Sequence, residues 1–313
     1  MVNGKSSQYK PVISGVPQGS VLGPLLFLVY IDGLAQLPLS NGAQMVLYAD
    51  DLLLFRTISS NEDYLQLQCD ISMVENWVTC NHLTLNASKC KYMVISRKKI
   101  SSLPLALKLG GSDLERVECF KYLGLLLSEN LSFSEHINLT CMKARKIIGL
   151  LYRRFYTNAN SATLLQLYQS LVRPHLEYAS PVWNPHMQKD IKSLQNVEKF
   201  ALRMITKQWD LGYEELLEMV SLPSLEIRRL QASLCTLYKI VYSLCFFPPD
   251  IIIPRPNYSQ RLDRQLLLYQ PFAHTNAFLY SFVPYSANVW NSLPQDLVTA
   301  PFRSFKNNIT RYL

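Results

Sequence analysis

The sequence predicts an α+β fold, and three observations predict it. Residues 1–130 alternate short apolar runs with Gly, Pro, Asn and Ser, the punctuation of mixed strands and helices. From Ser134 to about Cys245 apolar residues recur at three- and four-residue intervals, as on the buried face of a helix. After Pro248 the chain is Pro-rich and irregular until Phe302, Phe305 and Ile309, which suggest a short closing helix. Three regions follow, 1–130, 131–247 and 248–313.

A loop punctuated by glycine, Ser14-Gly15-Val16-Pro17-Gln18-Gly19-Ser20-Val21-Leu22-Gly23-Pro24, runs into an apolar helix over Leu25–Ile31. Gln44–Arg56 reads Q-M-V-L-Y-A-D-D-L-L-L-F-R, two apolar runs about Ala49-Asp50-Asp51, and predicts strand, tight turn, strand. Ile137, Cys141, Ala144, Ile148, Leu151 and Phe155 mark one face of a long helix. Ser134 is placed as its cap and Glu135 at the positive end of its dipole. Ile227, Leu230, Leu234, Leu237, Val241 and Leu244 mark a second helix, and core packing is the role expected of both stripes.

At 313 residues, with 49% apolar and 17% charged, the chain is long enough for a buried core and two modules, and too apolar for disorder. Thirty-one Lys and Arg against 23 Asp and Glu give +8, a balance that suits a polyanionic partner. No apolar run approaches the roughly 18 residues of a membrane span, and Met1–Lys5 lacks the layout of a signal peptide, so a soluble intracellular chain with no membrane partner is expected. The seven cysteines include no C-x-x-C pair, which predicts free, buried thiols. Cys80, His82 and Cys90 lack the paired spacing of a zinc module.

The chemistry concentrates at two places. Adjacent carboxylates at a hairpin tip repel unless a positive charge sits between them, and a hard divalent cation relieves that cost. A solvated acidic turn would use the same residues, since Asp forms turns readily. In the glycine loop, small residues at 15, 19 and 23 let a backbone or base approach closely, and Gln18 offers a donor and an acceptor. A third feature is the side of the Ser134–Asn158 helix opposite its apolar stripe, where Lys143, Lys146, Arg153 and Arg154 gather. From Ser134 to His175 the only acid is Glu135, against Lys143, Arg145, Lys146, Arg153, Arg154 and Arg173. Backbone contacts from such a face would be sequence-independent and salt-dependent.

In order, and about thirty residues apart, G-V-P-Q-G-S-V-L-G-P and Y-A-D-D resemble the reverse transcriptase palm of non-LTR (LINE-type) retrotransposons. The resemblance continues through Leu83-Thr84-Leu85-Asn86, Ser88-Lys89-Cys90-Lys91 and Met93-Val94-Ile95-Ser96, similar to the next palm motif. Phe120-Lys121-Tyr122-Leu123-Gly124 is similar to the primer-grip hairpin. Leu171–Ala179 (L-V-R-P-H-L-E-Y-A) and Val289–Pro294 (V-W-N-S-L-P) look like the thumb and tail of the same group. The resemblance implies RNA-directed DNA polymerisation, with an RNA template, a DNA primer, deoxynucleotide triphosphates and Mg²⁺ or Mn²⁺. It implies a palm with a central hairpin, an all-α thumb and a C-terminal extension, and nuclear action. The segment Arg97-Lys98-Lys99 is too short to be a nuclear signal by itself.

Carried over residue by residue, Asp50 is the metal-binding carboxylate of the turn. Asp51 is its neighbour and the weaker ligand, because successive side chains of an extended segment point opposite ways. Gln18 and Gly19 lie against template and nucleotide, Lys89 or Lys91 neutralises the leaving pyrophosphate, and Tyr122, Leu123 and Gly124 sit at the primer end. Lys143, Lys146, Arg153 and Arg154 would follow the nucleic-acid backbone. The family carries a further palm aspartate several tens of residues before the glycine loop. The thirteen residues before Ser14 hold no acid, and Asp32 follows the loop instead of preceding it. The expectation is an N-terminally truncated enzyme, inactive alone, whose Met45–Tyr48 strand lacks a sheet neighbour. A nucleic-acid-binding remnant without catalysis is the alternative.

Overall fold

The computed structural model describes residues 15–16, 19–96, 106–245, 247–248, 252–254 and 266–313, and the fold is α+β. The chain forms two compact units, Met1–Glu118 and Cys119–Leu313. No helix among the described residues is long and apolar enough to cross a membrane.

In the first unit, α1 (Leu22–Ala35) precedes the antiparallel strands β1 (Ala43–Tyr48) and β2 (Asp51–Arg56), and α2 (Asn61–Cys80) follows them. Gly23 N–H donates to Ser20 Oγ at 3.0 Å as α1 begins. A reciprocal box starts α2: Asp63 N–H donates to Ser60 Oγ at 3.2 Å, and Ser60 N–H to Asp63 Oδ2 at 3.0 Å. Four two-residue strands complete the unit. β3 (Lys91–Tyr92) pairs in parallel with β6 (Glu115–Arg116), and β4 (Lys108–Leu109) pairs antiparallel with β5 (Ser112–Asp113).

Alternation sorts the hairpin's two faces. Met45, Leu47 and Leu52 face a small core of Leu34, Val74 and Val78, while Val46, Tyr48, Leu53 and Phe55 are exposed. Among the described residues β1 and β2 pair only with each other. What seats the hairpin on α2 is polar. Arg56, its side chain 6% exposed, donates to Ser40 Oγ at 2.6 Å, to Asp63 Oδ1 at 2.9 Å and to Gln66 Oε1. Asp70, fully buried, accepts from Ser40 N–H at 2.8 Å and Ser40 Oγ–H at 2.6 Å.

The second unit opens with the hairpin β7 (Cys119–Tyr122) and β8 (Leu125–Ser128), and Leu125 joins the helical core. The long helix α3 (Ser134–Phe155) buries Ile137, Cys141, Ala144, Ile148 and Leu151 as the periodicity predicts, but Phe155 is 41% exposed. Ser134 is not the cap. It is the first helical residue, and its hydroxyl donates to Asp190 Oδ2 at 2.6 Å instead. Next come α4 (Ser161–Leu167), a π turn (Tyr168–Val172) and α5 (Arg173–Glu177). The wide turn sits just before Pro174, whose ring crowds the carbonyl four residues back.

After α6 (Ser180–Trp183), α7 (Gln188–Thr206) lies along α3, followed by α8 (Tyr213–Val220) and α9 (Leu225–Val241). The α9 stripe ends early, because Leu244 falls beyond the helix and is exposed. Helices α10 (Asn276–Leu279), α11 (Phe282–Ser292), α12 (Gln295–Val298) and α13 (Phe302–Asn308) follow, with a last 3₁₀ turn at Ile309–Arg311. Their core joins Leu234, Leu237, Tyr238, Trp290, Phe305 and Ile309. In the Val289–Pro294 motif Asn291 bonds both the N–H and the C=O of Leu268, at 2.9 and 2.8 Å, a structural use of those residues. The thiols are free as expected, but only Cys141 is buried, and Cys69, Cys80 and Cys245 are exposed.

Glu198, 1% exposed, organises the helical core. It accepts from Tyr168 Oη at 2.9 Å, from Leu225 N–H at 3.2 Å and from Tyr213 Oη. Glu198→Ala leaves those buried donors unpaired and is expected to cost about 3 kcal/mol, read from the urea midpoint of the second unit. Glu198→Gln keeps one acceptor and costs less. In the first unit Arg56, with smaller help from the Ser59 and Ser60 bonds, holds the Asp63 carboxyl down from the ordinary 3.8 to about 2. Because the folded value is the lower one, this contribution is complete above about pH 3.8 and lost as pH falls through about 2. Urea titrations followed on α2 amide resonances should show that loss in the native chain and a smaller one in Arg56→Ala, where the Ser59 and Ser60 bonds remain.

Candidate active site

The ladder of the first hairpin closes at Tyr48 and Asp51, leaving Ala49 and Asp50 as its two-residue turn. Ala49 takes φ 51°, a left-handed conformation that alanine pays for and that a tight hairpin demands. Asp50 stands at the tip, and Asp51 lies on the outward face with Tyr48, Leu53 and Phe55; both carboxylates are exposed. Their oxygens are donors of the type Mg²⁺ or Mn²⁺ takes. Among the described residues no group of three His, Cys, Asp or Glu is placed to hold a metal ion.

In the glycine loop Gly19 has φ 82°, and nothing lies within 4 Å of where a side chain would start, so its backbone is open to close approach. Gln18, Pro17 and the segment Arg97-Lys98-Lys99 lie outside the described residues. The two candidate lysines differ. Lys91 sits on β3 and pairs with Glu115 across the parallel ladder. Lys89, in the turn before it, is exposed, and no ion pair is described for it.

In the second unit Leu123 and Gly124 form the turn between β7 and β8, with φ 45° and 84°. Two positive values mark a tight hairpin turn that asks for Asn or Gly at its first position, yet Leu stands there. The strain is held from outside the hairpin. Tyr178 Oη donates to Leu123 O at 2.9 Å, and its ring lies so close that a Cβ on Gly124 would stand 3.2 Å from Cε1. Trp183 Nε1–H donates to Tyr178 O at 2.7 Å, and Glu177 is gripped by Arg228, one bond being 2.9 Å. The L-E-Y-A portion of the downstream motif thus fixes the hairpin turn. Sequence reading missed this because Leu123 and Tyr178 are 55 residues apart. The basic residues Lys143, Lys146, Arg153 and Arg154 are all exposed on α3.

Leu123→Asn should raise stability by about 0.5–1 kcal/mol by relieving the left-handed leucine. Tyr178→Phe should lower it by about 1 kcal/mol by removing the bond to the Leu123 carbonyl. Thermal unfolding of the two variants checks both signs.

The family described as Reverse transcriptase (RNA-dependent DNA polymerase) matches residues 1–127. The chain is 30% identical over 206 residues to the "Probable RNA-directed DNA polymerase from transposon BS" of Drosophila melanogaster, over 62% of this chain and 22% of that protein. It is 28% identical over 217 residues to the "RNA-directed DNA polymerase from mobile element jockey" of the same species, over 66% and 23%. A third relative, the "Putative 115 kDa protein in type-1 retrotransposable element R1DM", is 31% identical over 179 residues, 55% of this chain and 17% of its own length. The chain spans about a fifth of the length of these curated relatives. Residues 1–127 therefore match the reverse transcriptase family, and the relatives to which the chain is similar include RNA-directed DNA polymerases of a transposon and of a mobile element.

Proposed function

We propose that the Ala49–Asp51 turn serves RNA-directed DNA synthesis. The observation that carries this reading is the pair of exposed carboxylates at the tip of a tight antiparallel turn, inside the segment that matches the reverse transcriptase family. Asp50 is the metal-binding carboxylate and Asp51 its neighbour. Gln18 and Gly19 meet template and nucleotide, and Tyr122, Leu123 and Gly124 take the primer end. Of the two lysines, Lys89 is assigned to the leaving pyrophosphate, because the ammonium of Lys91 is already matched by Glu115. RNA template, DNA primer and deoxynucleotide triphosphates are the partners, and residues 1–130 serve as palm, the helices of 131–247 as thumb and 248–313 as a C-terminal extension.

A bound Mg²⁺ or Mn²⁺ supplies neutralisation of the attacking and leaving oxygens in this class of reaction. Two carboxylates on one turn hold such an ion poorly, since Mg²⁺ keeps its waters unless several anionic oxygens converge. The turn is therefore expected to work with a further palm carboxylate beside it. The basic face of α3 supports a second reading, nucleic-acid binding without catalysis.

The test is incorporation of labelled dTTP on poly(rA)–oligo(dT) with Mg²⁺ or Mn²⁺. The chain alone is expected to incorporate nothing. Supplying a palm segment that carries the additional aspartate should start synthesis, and Asp50→Ala should reduce it by at least about a hundredfold. Synthesis by the chain alone that Asp50→Ala abolishes would overturn the proposed inactivity while supporting the reaction. Silence in the complemented mixture, with template–primer bound in a salt-dependent way, would leave the second reading in place of the first.

A further inference from the structure

At the C-terminal ends of α3 and α7, aromatic side chains meet in the open. Tyr152 and Tyr156 stack with ring centres 4.5 Å apart at 25°. Trp209, just beyond α7, meets both edge-on at 6.5 and 6.4 Å, and meets Phe200 at 5.8 Å. Trp209 Nε1–H donates to Tyr156 Oη at 3.2 Å, which fixes the indole's orientation. Rings gathered only to seal a core would be covered. Here Tyr152 is 39%, Phe200 42% and Trp209 37% exposed.

Cations surround the rings. At 100° per residue Arg145, Gly149, Tyr152 and Tyr156 share one stripe of α3, between the buried stripe and the side carrying Lys143 and Arg154. Arg145 is exposed, and the Arg153 guanidinium lies over Gly149, with Nη1 3.6 Å from where a Cβ would stand. Lys207 places Nζ 5.8 Å from the centre of the Tyr156 ring. Asp210, next to Trp209, is the adjacent acid.

We propose that this patch binds single-stranded nucleic acid, with bases stacking on Tyr152 and Trp209 and phosphates held by Arg145, Arg153 and Lys207. Every base presents a π face, so stacking on exposed rings is tolerant of sequence, and a cationic border tracks the backbone. A partner helix would account for the exposed rings but not for the cations around them, whereas a polyanion carrying flat aromatic units matches both. The patch lies wholly in the second unit and uses neither a metal nor a triphosphate.

The test titrates the full chain with a labelled oligouridylate of roughly 15 nucleotides, close to the length such sites cover, and with an RNA duplex of the same length, in the absence of metal and triphosphate. Tighter binding of the single strand is expected, with a quenching of tryptophan emission that Trp209→Phe removes. Tyr152→Leu should weaken single-strand binding roughly tenfold with an unchanged salt slope, and Tyr152→Phe should restore it. Lys207→Gln should flatten the slope by about 0.7. A melting temperature for Tyr152→Leu equal to that of the native chain identifies the loss as local. Unaltered affinity in that folded variant, or a preference for duplex without quenching, would overturn the proposal. Self-association that Tyr152→Leu abolishes, with no oligonucleotide bound, would assign the patch to a second copy of the chain and overturn it as well.

Discussion

The Asp50 turn stands where it does because Arg56 cannot be buried alone. Its guanidinium sits at the far end of β2 from the turn, and burying an arginine demands partners for its charge and its donors. Ser40 before the hairpin, and Asp63 and Gln66 on α2, supply them for its charge and its two Nη groups, while Asp70 completes the chain of bonds through Ser40. This ties one end of a two-stranded ribbon to a twenty-residue helix. The apolar core beneath is small, with Leu34, Val74 and Val78 its buried members, so the polar clamp carries an unusual share of the positioning. Clamped at one end, the hairpin leaves its other end, the carboxylate tip, projecting into solvent.

The second unit solves a similar problem with a buried acid. Glu198 lies among Tyr168, Tyr213 and the start of α9, and three donors reach it from three different elements. Burial pushes its carboxyl up, and the tyrosine and backbone donors oppose that shift. Around this centre α3 and α7 run side by side, joined at one end by Ser134–Asp190 and at the other by the aromatic cluster. Both exposed features of this unit, the basic face and the aromatic stripe, are faces of α3 left over once its buried stripe is satisfied.

How far the molecule was legible depended on how local each signal is. The Gln44–Arg56 hairpin and the buried residues from Ile137 to Leu151 were readable because alternation, turn chemistry and helical period are fixed within a few residues. The structure departs from the sequence reading at element ends, and at residues 276–298, where three helices stand in a stretch expected to be irregular. Phe155 and Leu244 continue their stripes in sequence, but the core ends before either residue. Ser134 was read as a cap because serine caps well, yet the facing Asp190 claims its hydroxyl. Glu115 reaches Lys91 only through a parallel ladder across a gap of 24 residues, a pairing no local signal marks.

The sequence by itself determined the order of the motifs, the tight turn carrying Asp50 and Asp51, and the division of α3 into apolar and basic sides. These are properties of neighbouring residues, set by backbone sterics and helical geometry. Tertiary structure alone decided that Arg56 anchors the hairpin, that Tyr178 holds a leucine in a left-handed turn, and that Trp209 meets Tyr156. Each of those depends on side chains brought together only after the backbone has folded, where the need to satisfy a buried charge or carbonyl selects the partner.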